Sequence, residues 1–379
     1  MAQIKKILII CGEPSGDLLA GNLVNAIKNI NPNIKISGIG GTNLAKAGCE
    51  IFYNINELSV MGFFDVLKKL PKFFGLKKIV LNKIDSEKPD TIILVDFSGF
   101  NLRLAKAINK HIPVIYYVSP QVWASREGRI NSIKKFISKM VVLFKFEEEF
   151  YKKREIQATC TGHPLIDLAK PVLQKQEFIE NYRLSPVKKT IAILPGSRKQ
   201  EIKIMLPLML KAAKLINKTI PQTQFIIAKA SNLDTQTYLN EYKKFNLDIK
   251  IINGITYDCL NNADASMVCS GTATLEAAIM QKPFVIIYKT NILNYLLYRP
   301  QVKIPYVGMV NIVAGKEIVP EFIQFKAKPK MIANSILKFL QDPSSSLRLS
   351  QDLLKVKNDL GEPGAAQRAA RLILNFLQK

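Results

Sequence analysis

Short runs of apolar, largely β-branched residues alternate with helix-length segments along this chain, and the series begins twice. The first series comprises Lys6–Cys11, Lys35–Ile39, Thr91–Val95, Val114–Val118 and Met140–Phe144. The second comprises Thr190–Leu194, Gln224–Ala228, Ile249–Ile252, Ala265–Val268 and Phe284–Tyr288. Strands buried on both faces read as unbroken apolar runs, and the helices between them are the crossovers that parallel pairing requires. The chain is therefore predicted to be α/β, with two doubly wound, Rossmann-like domains facing a cleft. Its 379 residues exceed what one core usually organises. Pro171, a charged stretch and Pro186 separate the two series and read as a linker. The first domain is placed at 1–170 and the second at 186–344. Leu347–Leu377 reads as two closing helices around Gly361-Glu362-Pro363-Gly364. Part of 345–379 is expected to join the first domain or to swap between two copies in a homodimer.

Two strand-to-helix turns in the second half carry glycine. Leu194-Pro195-Gly196-Ser197-Arg198 follows one strand, and Ser270-Gly271-Thr272-Ala273-Thr274-Leu275-Glu276 follows another. Helix N-termini favour anions, and glycine lets the backbone approach a ligand closely. Together the turns suggest two sets of N–H groups aimed at a diphosphate, with Arg198 adding a charge-assisted contact. Ligands of open α/β sheets lie beyond the carboxyl ends of the strands, so such turns are where a site is expected. A dehydrogenase fits less well. The first turn, Gly12-Glu13-Pro14-Ser15-Gly16-Asp17, lacks G-x-G-x-x-G, and Gly38-Ile39-Gly40-Gly41 ends the second strand instead of the first.

Composition removes several function classes. Two histidines, His111 and His163, cannot build a His-rich metal site, and neither a metal nor a cofactor is expected. Five cysteines without paired spacing point to reduced thiols and a cytoplasmic setting. Lys and Arg outnumber Asp and Glu by 54 to 30, a formal +24 that attracts nucleic acid, anionic membrane or phosphorylated substrates. No RNA-reading motif accompanies that charge, and no nucleic-acid partner is expected. The start has no signal-peptide pattern, and no apolar run is long enough to span a bilayer, so a soluble or peripheral protein is predicted. Met61–Ile84 interleaves Phe63, Phe64, Phe73 and Phe74 with Lys68, Lys69 and Lys72. A basic amphipathic segment with aromatic anchors suits a membrane interface, although a pair of helices packed on the sheet would show similar spacing.

With these turns in place, the chain resembles the lipid-A-disaccharide synthase family, two-Rossmann-domain glycosyltransferases of bacterial outer-membrane biogenesis. Gly12-Glu13-Pro14-Ser15-Gly16-Asp17 is similar to the family's opening GExSGD. Gly40-Gly41 and Leu58-Ser59-Val60-Met61-Gly62 resemble its next landmarks. Tyr117-Val118-Ser119-Pro120-Gln121-Val122-Trp123-Ala124 resembles YVSPxVWAW, with Ser125 replacing the second tryptophan. Gly162-His163-Pro164, Leu194–Arg198, Ser270–Glu276 and Val310-Asn311-Ile312-Val313-Ala314-Gly315 complete the series in order. The resemblance implies a B-type glycosyltransferase architecture and an inverting, metal-independent reaction. UDP-2,3-diacylglucosamine would donate its sugar to 2,3-diacylglucosamine 1-phosphate, giving a β-1′,6 disaccharide 1-phosphate and UDP. It also implies a peripheral position on the cytoplasmic face of the inner membrane.

Such a transfer needs a base for the acceptor hydroxyl and stabilisation of the departing diphosphate. Gly196, Ser197, Arg198, Ser270, Gly271 and Thr272 suit the second role. The resemblance assigns Glu276 to the ribose hydroxyls and Asn311 to the nucleotide site, and Ser15, Gln121 and Trp123 are candidates for the acceptor or its acyl chains. The base is less direct. The family shows D-x-P-D-F-N with its second Asp in catalysis, whereas this chain reads Asp96-Phe97-Ser98-Gly99-Phe100-Asn101. Asp96 is then the expected base, with Asp17, Glu13 and His163 as substitutes. Another UDP-sugar transferase or epimerase, or a basic RNA- or membrane-binding protein without catalysis, stays open on the residues alone.

Overall fold

The two series form two separate parallel sheets in the computed structural model, which describes residues 4–57 and 70–378. The first contains β1 (Lys6–Ile10), β2 (Lys35–Gly40), β3 (Glu50–Asn54), β4 (Thr91–Val95), β5 (Val114–Tyr117), β6 (Lys139–Val142) and β7 (Ala158–Cys160). Their order is β3-β2-β1-β4-β5-β6-β7. The second contains β8 (Lys189–Leu194), β9 (Thr223–Lys229), β10 (Ile249–Asn253), β11 (Ala265–Cys269), β12 (Phe284–Tyr288) and β13 (Glu321–Ile323), ordered β10-β9-β8-β11-β12-β13. Central strands are buried throughout: Ile7–Ile10, Ile92–Val95, Ile191–Ile193 and Ala265–Val268 are almost without exposure. That explains their unbroken apolar character, since both faces are covered by helices.

In each sheet the chain moves outward from one central strand in one direction and later returns to extend it in the other. β1 pairs with both β2 and β4, and β8 pairs with both β9 and β11. Successive helices therefore leave a crevice at the carboxyl ends of those neighbours, the point where open α/β sheets take ligands.

Two compact units result. The first runs to Pro164 and includes Pro300–Lys303 and the segment from Leu360. The second comprises Leu165–Arg299 and Ile304–Asp359. The stretch read as a linker carries a helix over Lys175–Asn181 with Phe178 buried, and the Val172 and Leu173 N–H groups both donate to Asp258. It belongs to the second unit. The helix Pro343–Asp359 lies in the second unit, whereas Ala365–Leu377 packs against helix Pro14–Ile30 of the first. Arg368 fixes the turn between them, donating to the carbonyls of Thr161, Glu362 and Pro363.

Of the segment expected to touch membrane, Phe63, Phe64, Lys68 and Lys69 lie outside the described residues, as does Leu58–Gly62. The helix Leu70–Glu87 turns Leu76, Val80 and Ile84 inward at four-residue spacing. Phe73 also packs inward, 6.0 Å from the Phe97 ring and 6.4 Å from Phe100. Lys72 donates to the Glu57 carbonyl at 2.8 Å. Only Phe74 of the described aromatic anchors stays out in solvent, 68% exposed. Over the described residues the segment is a helix packed on its inner face, with the Phe74 ring projecting. Among the described residues no helix is long and apolar enough to cross a membrane.

Candidate active site

In the second unit, Leu194 and Val268 are register partners on adjacent parallel strands, so the two glycine turns leave the sheet side by side. Gly196 has φ +114° and Gly271 has φ +153°, values that an L side chain rarely adopts. A Cβ on Gly196 would also lie 2.4 Å from Glu201 Oε2. Glu201 is the reason for that tightness. The Ser197 and Arg198 N–H groups donate to its Oε2 at 2.9 and 3.3 Å, and Arg198 Nη1 donates to Oε1 at 3.1 Å. The first turn of helix Lys199–Thr219 is thus organised by the chain's own carboxylate, a capping box with arginine at the cap. The buried Cys269 thiol, pushed up chiefly by burial, feels both Glu201 and Arg198, which sets this clasp beside the second turn.

That second turn, Ser270-Gly271-Thr272, leads into helix Ala273–Ile279. Thr274 Oγ1 donates to the Gly271 carbonyl at 2.8 Å, and Ser270 Oγ to the Val307 carbonyl at 3.4 Å. Glu276 projects from the helix's first turn. Burial pushes its carboxyl up to about 7, against a weak opposing hydrogen bond from the Tyr257 hydroxyl at 3.5 Å. Between about 4.3, the unfolded value, and about 7, the folded chain holds the extra proton. Glu276 therefore lowers stability as pH rises through that window.

Asn311, expected at the nucleotide, is engaged elsewhere. Its Nδ2 donates to Val319 O at 2.8 Å and Glu321 Oε1 at 2.9 Å. Its Oδ1 accepts from Ile318 and Val319 N–H, each at 3.0 Å. Both donors and both lone pairs of this fully buried amide are used, so it holds the turn after helix Met309–Ala314 and has nothing to offer a ligand.

In the first unit, Asp96 closes β4 next to the turn that follows β1. A Cβ built on Gly16, in the first turn of helix Pro14–Ile30, would lie 3.9 Å from Asp96 Cβ. Asp96 (φ +47°) and Phe97 (φ +44°) are both left-handed, as is Val118 (φ +63°) at the end of β5. Non-glycine residues in that region cost about 1–3 kcal/mol each and concentrate where function demands them. Surroundings hold them there. The Tyr116 hydroxyl and Asn101 Nδ2 donate to the Asp96 carbonyl, and Phe97 stacks on Phe100 at 5.3 Å over Gly12.

Asp17, the alternative carboxylate, is a cap. Its Oδ1 accepts from Gly41 N at 2.6 Å and Leu44 N at 3.2 Å; its Oδ2 accepts from Asn43 N at 2.9 Å and Asn43 Nδ2 at 3.0 Å. Four donors on a carboxylate that is 2% exposed leave no place for a substrate proton. Among the acceptor candidates, Ser15 is half-buried in a helix first turn and Gln121 is exposed. Trp123 stands edge-on to Phe146 and donates Nε1 to Glu147 at 3.1 Å. Burial pushes Glu147 up to about 7 despite the Trp123, Leu143, Phe144 and Ser119 hydrogen bonds. The buried His163 ring lies against Phe144, and burial lowers it to about 3.

Four features escaped the sequence reading: the Glu201 clasp, the Glu147–Trp123 pair, the arginines around Ser98, and the exposed apolar helix Ile292–Tyr298. The last presents Leu293 and Leu296 at 46% and 60% exposure. Its signal, a heptapeptide ILNYLLY with no charge, was available. Among the described residues no group of three His, Cys, Asp or Glu side chains is placed to hold a metal ion.

Residues 7–376 match the family model for lipid-A-disaccharide synthetase. A lipid-A-disaccharide synthase of Syntrophus aciditrophicus (strain SB) is 39% identical over 99% of this chain and 98% of that protein. One of Myxococcus xanthus (strain DK1622) is 35% identical over 100% of this chain and 99% of that protein. The chain belongs to the lipid-A-disaccharide synthase family. It is a glycosyltransferase of lipid A disaccharide synthesis, and the epimerase and non-catalytic alternatives are not favoured. Among solved structures, a UDP-GlcNAc 2-epimerase from Neisseria meningitidis bound to UDP-GlcNAc matches with TM-score 0.64 at 13% identity, over 98% of this chain and 99% of that one. At that identity the likeness is one of fold, and it agrees with two Rossmann-like domains.

Proposed function

We propose that this family member transfers 2,3-diacylglucosamine from UDP-2,3-diacylglucosamine to 2,3-diacylglucosamine 1-phosphate. The observation that carries the reading is the pair of glycine turns on adjacent strands, with Arg198 and Glu276 at the same strand ends. The diphosphate takes the Ser270–Thr272 turn and the Arg198 guanidinium, and Glu276 accepts the ribose hydroxyls. Glu201 holds Arg198 and the Ser197 loop in advance, so the donors need little rearrangement when charge develops.

In the first unit Asp96 takes the proton from the acceptor's 6-hydroxyl. The hydroxyl oxygen bonds to the anomeric carbon of the donor sugar as that carbon's bond to the diphosphate breaks. The bonding pair leaves on UDP, and displacement from the opposite face gives the β-1′,6 linkage. The acylated substrates place the enzyme on the cytoplasmic face of the inner membrane as a peripheral protein. Exposed Phe74 and the apolar helix Ile292–Tyr298 are the described surfaces that support such contact.

The direct test is UDP release from both acylated substrates in detergent, with product mass confirming the disaccharide 1-phosphate. Folded protein that releases no UDP would remove the proposal, and turnover of plain UDP-GlcNAc would replace its donor. A second measurement reads Glu276. If its carboxyl sits near 7 unliganded and ionises to hold ribose, UDP affinity should tighten about tenfold between pH 6 and pH 8. Proton release on binding, seen by calorimetry in buffers of different ionisation enthalpy, should accompany it and vanish in Glu276→Gln. A pH-independent affinity would exclude Glu276 from the ribose.

A further inference from the structure

Arg129 ends a 3₁₀ turn over Glu127–Arg129, just before helix Ile130–Phe136, and its Nη1 donates to Ser98 Oγ at 2.9 Å. Ser98 is the first residue of helix Ser98–Ile108. A guanidinium therefore stands at the positive end of a helix, where the dipole disfavours a cation. Among the described residues no carboxylate pairs with Arg129, and the carboxylate within its own turn, Glu127, is drawn off by Arg154 at 2.6 Å and Lys303 at 2.9 Å. Burial lowers the Arg129 guanidinium's pKa, and the charges of Arg126 and Arg103 lower it further. Arg126 caps the same 3₁₀ turn and Arg103 stands on the helix that Ser98 opens, so three like charges share one corner of the first unit.

The corner is also open. The helix cap is Phe97, which contributes no side-chain hydrogen bond to the first turn. A Cβ on Gly99, in that same turn, would meet nothing within 4 Å. Arg129 and Asp96 both influence the buried Tyr116, whose hydroxyl donates to the Asp96 carbonyl, so the corner adjoins the proposed base. An arrangement of cations around a helix N-terminus is stable when an anion joins it.

We infer that Arg129, with Arg103, Arg126 and the first turn of helix Ser98–Ile108, binds the phosphate monoester of the acceptor sugar. This rests on the proposed reaction, in which the acceptor carries a 1-phosphate and the donor does not. The site would orient the acceptor with its hydroxyl toward Asp96 and reject sugars without the phosphate.

With UDP-2,3-diacylglucosamine as donor, Arg129→Gln is expected to raise KM for 2,3-diacylglucosamine 1-phosphate about 10- to 100-fold. UDP affinity should not move, and inorganic phosphate should inhibit the wild type competitively against the acceptor but not the variant. Arg103 is exposed on its helix, so Arg103→Gln will fold; it should raise the same KM about threefold or more. Co-sedimentation with phosphatidylglycerol vesicles should be unchanged in both variants. An unaltered acceptor KM would overturn the assignment, and so would lost vesicle binding in its place, which would give the cluster to lipid headgroups. Absence of wild-type turnover would strike the reaction itself, whereas normal wild-type turnover with an unaffected Arg129→Gln variant would remove only this phosphate site.

Discussion

Asp96→Asn is expected to lower kcat by about 10²- to 10⁴-fold, the range for loss of a general base, while UDP binds with unchanged affinity. The substitution keeps the shape of a side chain that ends a buried central strand, and the backbone around it is fixed by Tyr116 and Asn101. Loss of turnover therefore reports chemistry more than folding, and a melting curve matching the wild type would confirm this. Asp17 offers no rescue, since four N–H donors already occupy its oxygens. Position 99 is where the resemblance places the second Asp of D-x-P-D-F-N and this chain has glycine. Since a Cβ at Gly99 meets nothing within 4 Å, the backbone there has room for Gly99→Asp to be added to Asp96→Asn. The double variant should remain inactive. Recovery to within about tenfold of wild type would move the base to position 99.

Arg198→Ala should reduce kcat/KM for the nucleotide sugar by about 10²- to 10³-fold, comparable to removing one preorganised donor from a developing anion. The variant does more than delete a charge. Glu201 would keep its bonds to the Ser197 and position-198 N–H groups but lose the guanidinium that balances it. A carboxylate whose side chain is 11% exposed would then repel the incoming diphosphate. Arg198→Ala with Glu201→Gln should for that reason recover part of the lost UDP affinity, measured by calorimetry. If the two losses simply add, Glu201 supports the loop without opposing the ligand.

What the sequence made legible follows burial. Ten strands were readable because nine lie inside a sheet, apolar on both faces, and the edge strand Ile249–Asn253 is itself rich in isoleucine. Glu50–Asn54, Ala158–Cys160 and Glu321–Ile323 were not, because each is half-buried at a sheet edge without an unbroken apolar run, and the last two have only three residues. The two strand-to-helix turns of the second unit were visible because glycine marks a backbone that other residues avoid. The fate of a polar side chain was not visible. Asn311 and Asp17 sit in family motifs, yet their hydrogen bonds close on backbone brought near by tertiary folding. Arg129 was equally hidden, since its contact with Ser98 spans 31 residues of sequence and is made only in the folded chain.

The return of helix Ala365–Leu377 to the first unit has a consequence for biosynthesis. Helix Pro14–Ile30 is translated before the second unit, and helix Ala365–Leu377, which packs against it, is translated after that unit. The later-translated sheet can finish packing while the earlier one still waits on the ribosome for its closing piece. Vectorial synthesis usually completes modules from the front; here the order of emergence and the order of completion run opposite ways. The apolar surface left waiting is one that chaperones would shelter until release.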